Sequence, residues 1–512
     1  MKRRMLSLLS FLLAMLLFAG CAKIEEEESW QDELPPMEEE ESEGQEALLA
    51  STFTIPYLSN QTLDPITCPD GVQQTVCALI YEGLFVLDEA FEPQNLLCES
   101  YSFDSEKLTY TFTLRENVSF SDGSTLSAQD VAATYRRAMT SERYGARFRD
   151  VAAIRATDSC TLTVTLGRAN SRFPALLDIP IVKSGTETMA VPSGTGPYLW
   201  VNSSDGAALI ANAAWWQQKE LPLETISLAA AKDNETAAHL FASFDTHFHV
   251  LDQTDASFTL STGKNDLSEI NTTVMQYLCV NTQRALLSAP LRSAMLRAID
   301  REELTRIFLS GHAESAQFPL PPASALYPKE LEQALSSAEY LQALAAAGIS
   351  ETRPVTLTLL VNSENSFKVA VAEDICRQLS VGGLSINCRA LPWGEYLATL
   401  ESGSFDLALC EVQLTSDWDL TPFLSLGAPL NYGGYVGEKT DALLAAYLSS
   451  HSPATAKDLY AQLAAEAPII PLVFKSESAL TPEGMVTGLR PTAANPFYNI
   501  ADWTFHLAAQ AN

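Results

Sequence analysis

Residues 109–115 alternate between polar and apolar. Tyr110, Phe112 and Leu114 interleave with Thr109, Thr111, Thr113 and Arg115, the two-residue period of a strand with one buried face. Asp122 and Gly123 then turn the chain. Ser127, with Asp130 three residues on, has the capping-box pattern that satisfies orphan amides at a helix start, and 131–139 supplies the helix. A short apolar strand is predicted at 53–58. Further on, 355–361, 384–390 and 405–412 read as strands, with an amphipathic helix over 368–379 and a second helix near Trp393 between them. That alternation is the βαβ pattern of an α/β lobe. Pro290 fits the first turn of a helix whose Leu291, Met295, Ile299 and Leu304 share a face. Residues 324–351 carry two helix-like runs, read as ordinary surface helices. Gly194 and Gly196, just before Pro197, read as glycines that permit positive φ in a tight turn.

With 512 residues the chain is long enough for two cores, since single cores stop growing at roughly 250 to 300 residues. Its net charge of −31 excludes nucleic acid as a partner. Lys2, Arg3 and Arg4 precede an uncharged run over 5–20, a secretory signal rather than a spanning helix. Leu17, Phe18, Ala19, Gly20 and Cys21 resemble a bacterial lipobox, with Phe18 replacing the usual small or aliphatic residue. The resemblance implies that Cys21 is lipidated, becomes the new amino terminus and anchors the protein outside the cytoplasm. Residues 21–50 hold twelve acidic side chains against Lys23 alone, the composition of an extended, disordered tether. Eight cysteines follow Cys21. Several lie in apolar surroundings that suit buried free thiols, and the lack of any CxxC spacing argues against a zinc or redox site.

A series of short motifs runs through the rest of the chain. Leu63, Asp64 and Pro65 come first, then Tyr81, Glu82, Gly83 and Leu84, the strand ending in Leu114 and Arg115, Phe120 to Gly123, and Ala128 to Val131. Gly194 to Tyr198, Asn212 with Trp215 and Trp216, Tyr277 to Asn281, Arg292, Ala298 to Arg301, Phe405 with Asp406, and Ala467 to Leu472 continue it. In this order and spacing the series resembles the family 5 extracellular solute-binding proteins of bacterial ABC importers, the peptide-binding group. The resemblance implies an α/β, two-lobed, type II periplasmic-binding-protein-like fold, with a hinge and mixed sheets flanked by helices. One lobe would comprise residues 51–272 and 475–512, and the other 273–474. It also implies a monomer that takes a small ligand, a short peptide above all, into the crevice and delivers it to permease subunits. No catalysis, cofactor or metal is expected.

Crevice residues follow from the same resemblance. Cys68, Pro69, Asp70 and Gly71 match the loop that pairs with the ligand backbone, and Trp393 stands where relatives place a crevice tryptophan. Glu411, Val412 and Gln413 lead into the loop that in peptide-binding relatives offers an aspartate to the ligand's α-ammonium. Counting places that aspartate at Thr415 or Ser416, so Asp417 or Asp419 is the candidate substitute. Glu411 and Val412 replace a common Gly-Trp pair, which puts a carboxylate where a cationic group could sit. The altered loop keeps other cargo open: a metal chelate, a glycan, or a ligand sensed rather than imported. From another class, Ser261 and Lys264 form an S-x-x-K pattern of serine hydrolases, without the companion S-D-N and K-T-G elements. His247 and His249 alternate on one strand face, a chelating spacing with no third histidine nearby, and read as a structural or exposed pair.

Overall fold

The computed structural model describes residues 50–203, 206–254 and 264–508. Cys21, the signal, the tether up to residue 49 and Ser261 lie outside the described residues. Among the described residues, no helix is long and apolar enough to cross a membrane.

The alternating stretch forms the strand Thr109–Leu114, and Tyr110, Phe112 and Leu114 are buried. It pairs with Cys98–Asp104 and Thr161–Leu166 in an antiparallel sheet completed by Val151–Ala156. The capping box closes as expected: the amide and hydroxyl of Ser127 both donate to Asp130, at 3.0 and 2.5 Å, and open the helix Ala128–Ala138. A second four-stranded sheet runs Thr54–Leu58, Thr225–Ala231, Gly206–Ala211 and Tyr198–Ser203, the first pair parallel.

The remaining large sheet has seven strands. Val355–Asn362, the helix Ser366–Leu379 and Leu384–Leu391 form the predicted βαβ unit, and the helix Trp393–Glu401 leads on to Leu407–Gln413, also parallel to Val355–Asn362. Asn265–Val280 and Ile469–Pro482 are long antiparallel partners. Their register shifts between Asn271 and Met275, where three residues of one strand stand opposite Lys475 alone. Successive side chains of Asn265–Val280 enter different cores: Tyr277 and Cys279 join Trp418, Tyr447 and Tyr460, while Leu278 and Val280 join Leu359, Ile375 and Ile470. Two further cores lie around Phe112 and Tyr135, and around Phe53 and Phe248.

Many of the motif residues meet at Glu82. Its buried carboxylate accepts from the Thr195 hydroxyl at 2.9 Å and from the indoles of Trp215 and Trp216 at 3.0 and 2.8 Å. Burial raises its pKa from 4.5 to about 7, against the opposing effect of these hydrogen bonds. Arg301 is likewise a structural staple, donating to the carbonyls of Pro471, Ala316, Leu296 and Ile299.

Three expectations change. Gly194 and Gly196 do not have positive φ. They are required for close approach, because a Cβ at either would sit 2.3 to 2.5 Å from the backbone of Ile80. The helix at Pro290 ends at Leu296, and Asp300 caps a new turn by accepting from the Glu303 amide at 3.0 Å. Leu291, Met295, Ile299 and Leu304 are nevertheless all buried. Of the two runs in 324–351, only Ser337–Ala346 is an α-helix. The first is reduced to the 3₁₀ turn Lys329–Leu331, which starts directly after Pro328.

Candidate functional site

A cavity of about 1350 Å³ opens where several loops and strand ends converge. Its wall includes the loop 66–71, which links the strand Thr54–Leu58 to the helix Val72–Ile80. Residues 141–144, 146–147, 87–89 and 489–494, Asp178, Glu477, the edge of Asn265–Val280 at Ser268 and Asn271, and the strand end at Gln413 to Ser416 also contribute to it. Gly71 belongs to the wall with φ 84°, and a Cβ there would sit 2.9 Å from the Asn234 amide, so only glycine suits this position.

The wall is acidic. Seven carboxylates and three arginines line it, and each arginine already faces a carboxylate: Arg143 with Asp70 at 2.7 Å, Arg490 with Glu89 at 2.8 Å, and Arg147 with Asp178. Asp88, Glu142, Glu269 and Glu477 remain without a basic side chain from the lining. Of these, Glu269 approaches His312 at 3.1 Å, and burial next to Asp252 pushes the Glu477 carboxyl up. Cationic groups are the natural complement of such a surface.

Of the sequence-derived candidates, Cys68, Pro69, Asp70, Gly71 and Gln413 lie together on this cavity. The others lie elsewhere. Trp393 is half exposed, with its ring stacked on Tyr396 at the start of a helix. Val412 packs partly against the core around Trp418. Glu411 is held by Lys368 at 2.9 Å, by Gln276 at 3.0 Å and by Lys475 at 3.6 Å. Burial would raise the Glu411 pKa, but Lys475 and Lys368 together hold it below the usual range.

Asp417 and Asp419 are buried against the segment 149–172. Asn170 donates to Asp417 at 2.7 Å, and Arg149 and Arg168 both reach Asp419. Burial, and then the charge of Asp419, raise the Asp417 pKa. Arg172 bridges the same junction, donating to Phe91 O at 2.6 Å, to Ser416 O at 2.8 Å and to Glu92 at 2.9 Å. It lies 5.5 Å from the ring of Trp418, which is fully buried with φ 57° and meets Phe91 edge to face. His451 completes the contact, between Ser171 Oγ at 2.9 Å and Asp417 O at 2.8 Å.

These basic residues went unrecognised in the sequence. The available signal was density: eight arginines fall between Arg136 and Arg172 in a chain of net charge −31. His247 and His249 serve the scaffold. Thr54 donates its amide to His247 Nδ1 at 3.0 Å, and His249 stacks on Phe241, where burial lowers its pKa to about 4.

Comparison with known proteins adds the following. The model of the family described as bacterial extracellular solute-binding proteins, family 5 Middle, matches residues 92–433. The chain is 28% identical over 468 residues to the glutathione-binding protein GsiB of Salmonella typhi, covering 83% of this chain and 90% of that protein. Among solved structures, the oligopeptide-binding protein AppA of Bacillus subtilis, in complex with a nonapeptide, aligns at a TM-score of 0.61 with 20% identity. That alignment covers 90% of this chain and 99% of AppA. NikZ of Campylobacter jejuni, in complex with Ni(L-His), aligns at 0.63 with 18% identity, covering 89% and 99%. The shared architecture is the mixed α/β, type II periplasmic-binding-protein-like fold.

Proposed function

The chain belongs to the family 5 bacterial extracellular solute-binding proteins of ABC importers, and on that footing we propose that it captures a short peptide in the cavity described above and delivers it to a permease. The observation that carries this reading is the cavity itself. At about 1350 Å³ it exceeds the roughly 300 to 1,000 Å³ of ordinary small-molecule pockets, and its excess of carboxylates over arginines suits a ligand with an ammonium or guanidinium group. In this reading residues 51–272 with 475–512 form one lobe and 273–474 the other. The strand crossings near 273–281 and 471–476 are the hinge, and ligand contacts shift the equilibrium only as far as they favour the closed form. Cys21 carries a lipid that keeps the body at the outer face of the membrane. Cys21→Ala then releases the protein from membranes; unchanged retention counts against the anchor.

Native mass spectrometry of the purified protein tests the cargo class. A co-purified peptide supports the proposal, and a non-peptide ligand replaces it.

One observation favours a second cargo. Asp417 and Asp419, the candidate partners of a ligand ammonium, already hold Asn170, Arg149 and Arg168. A ligand read without its free amino terminus, such as a metal chelate, fits that arrangement. If amino-acetylated and free peptides bind equally, neither aspartate anchors the amine. If acetylation costs about 1.5 to 3 kcal/mol, and Asp417→Ala or Asp419→Ala abolishes the difference, one of them does.

A further inference from the structure

Two thiols meet on the wall of the cavity. Cys68 lies in the loop before the helix Val72–Ile80 and Cys77 within that helix, their Sγ atoms are 3.8 Å apart, and both residues belong to the lining. Eight residues separate them, which is why no CxxC spacing flags the pair.

Their surroundings differ in kind. Cys68 Sγ accepts from the Gln74 amide at 2.8 Å, and the Arg143 guanidinium sits against the same residue, donating to Cys68 O at 2.6 Å and to Asp70 at 2.7 Å. Cys77 Sγ is positioned to donate, 3.4 Å from Leu63 O. Cys68 is thus surrounded by donors and a cation, which suits a thiolate, while Cys77 is suited to keep its proton. The pKa directions agree: the bond from Cys77 and the charge of Arg143 bring Cys68 down against its burial, and burial pushes Cys77 well up. Cys68 and Cys77 also belong to a core, the one around Phe53 and Phe248, and are only 2% and 1% exposed, but unlike Cys279 and Cys410 in the core around Trp418 they border the cavity.

We propose that Cys68 and Cys77 form a redox-active dithiol on the cavity wall, which low-molecular-weight disulfides oxidise to an intramolecular disulfide. The Cys68 thiolate attacks one sulfur of the disulfide RS–SR. A Cys68–SR bond forms, the RS–SR bond breaks, and RS⁻ leaves to take a proton from water. Cys77 gives its proton to solvent, and its thiolate attacks Cys68 Sγ. The Cys68–Cys77 bond forms, the Cys68–SR bond breaks, and the second RS⁻ leaves and is protonated. Two thiols and one RS–SR become one protein disulfide and two RSH, with two electrons passing from the protein to the reagent. Closing the bond needs the sulfurs to approach from 3.8 Å to about 2.05 Å. The link would tie the cavity-lining loop of Asp70 and Gly71 to the helix behind it. This inference does not depend on which cargo the cavity takes.

The test treats the full-length protein with dithiothreitol, transfers it to bis(2-hydroxyethyl) disulfide under native conditions, and follows each cysteine by peptide mass spectrometry. The expected result is loss of two hydrogens from the segment holding Cys68 and Cys77, at least about tenfold faster than any change at Cys279 or Cys410. Cys77→Ser should stop at a mixed disulfide on Cys68, and Cys68→Ser should leave Cys77 unmodified. If both thiols of the wild-type protein stay reduced in the native state and react only after unfolding in urea, the proposal is overturned, whatever the variants do.

Discussion

Glu82 and Asp419 are both buried carboxylates, and the contrast between them separates a carboxylate that fixes a core from one that fixes a junction. Glu82 is surrounded by neutral donors, a threonine hydroxyl and two indoles, all from residues of the sequence motifs. Asp419 is held by Arg149 and Arg168 across a separation of at least 250 residues, and no motif contains those arginines. Neutral donors satisfy the lone pairs without cancelling the charge, so Glu82 titrates near neutrality. Cationic partners cancel the charge and join two distant parts of the chain. One arrangement fixes a core; the other fixes how segments sit across a junction.

The contrast is most severely tested at Arg172, the central cation of that junction. Arg172→Ala strips donors from two buried carbonyls and from Glu92, and an expected loss of about 3 to 5 kcal/mol should appear as a lower urea midpoint. A loss below about 1 kcal/mol would mean the junction is not held by this residue.

Next in size is the pH response of Glu82. Its folded pKa, about 7, lies above the unfolded 4.5, so the native state binds the extra proton. Stability on this account is fully present below about pH 4.5 and falls as pH rises to about 7, a change of about 3 kcal/mol that then levels off. Because the whole chain is acidic, the measurement is the difference between wild type and Glu82→Gln across pH 5 to 8. Parallel curves would show that Glu82 is ionised throughout.

Asp419→Asn should cost less, about 1 to 2 kcal/mol, because Arg149 and Arg168 are partly exposed and solvent screens the pairs. The loss should shrink in high salt, whereas that of Arg172→Ala should hardly change; thermal denaturation at low and high sodium chloride separates the two. Smallest is Trp393→Ala. With its ring half exposed on Tyr396, a loss under about 1 kcal/mol is expected from the same measurement.

Local patterns were legible in the sequence where one face of an element meets one core. The strand Thr109–Leu114, the Ser127 and Asp130 cap and the βαβ unit from Val355 all follow from period and capping chemistry. The break at Asp300 was harder to see, because the apolar spacing of Leu291 to Leu304 runs through it and all four side chains are buried. Gly194 and Gly196 were marked as special for the wrong reason: their need comes from the Ile80 backbone, more than a hundred residues away. The site was legible only in part for the same cause. Cys68 to Gly71 and Gln413 come together on the cavity, but nothing local announces that Asp417 will meet Asn170, or that Cys68 will meet Cys77.

The paired strands Asn265–Val280 and Ile469–Pro482 have a mechanical consequence. Both strands also pair with other neighbours in the seven-stranded sheet, and where the ladder between them slips the local twist increases. Here the irregularity lies between Asn271 and Met275, and Asn271, Thr273 and Glu477 also border the cavity. A molecule resting on that wall would therefore bear directly on the stretch where the ladder is irregular, not on it through a distant lever.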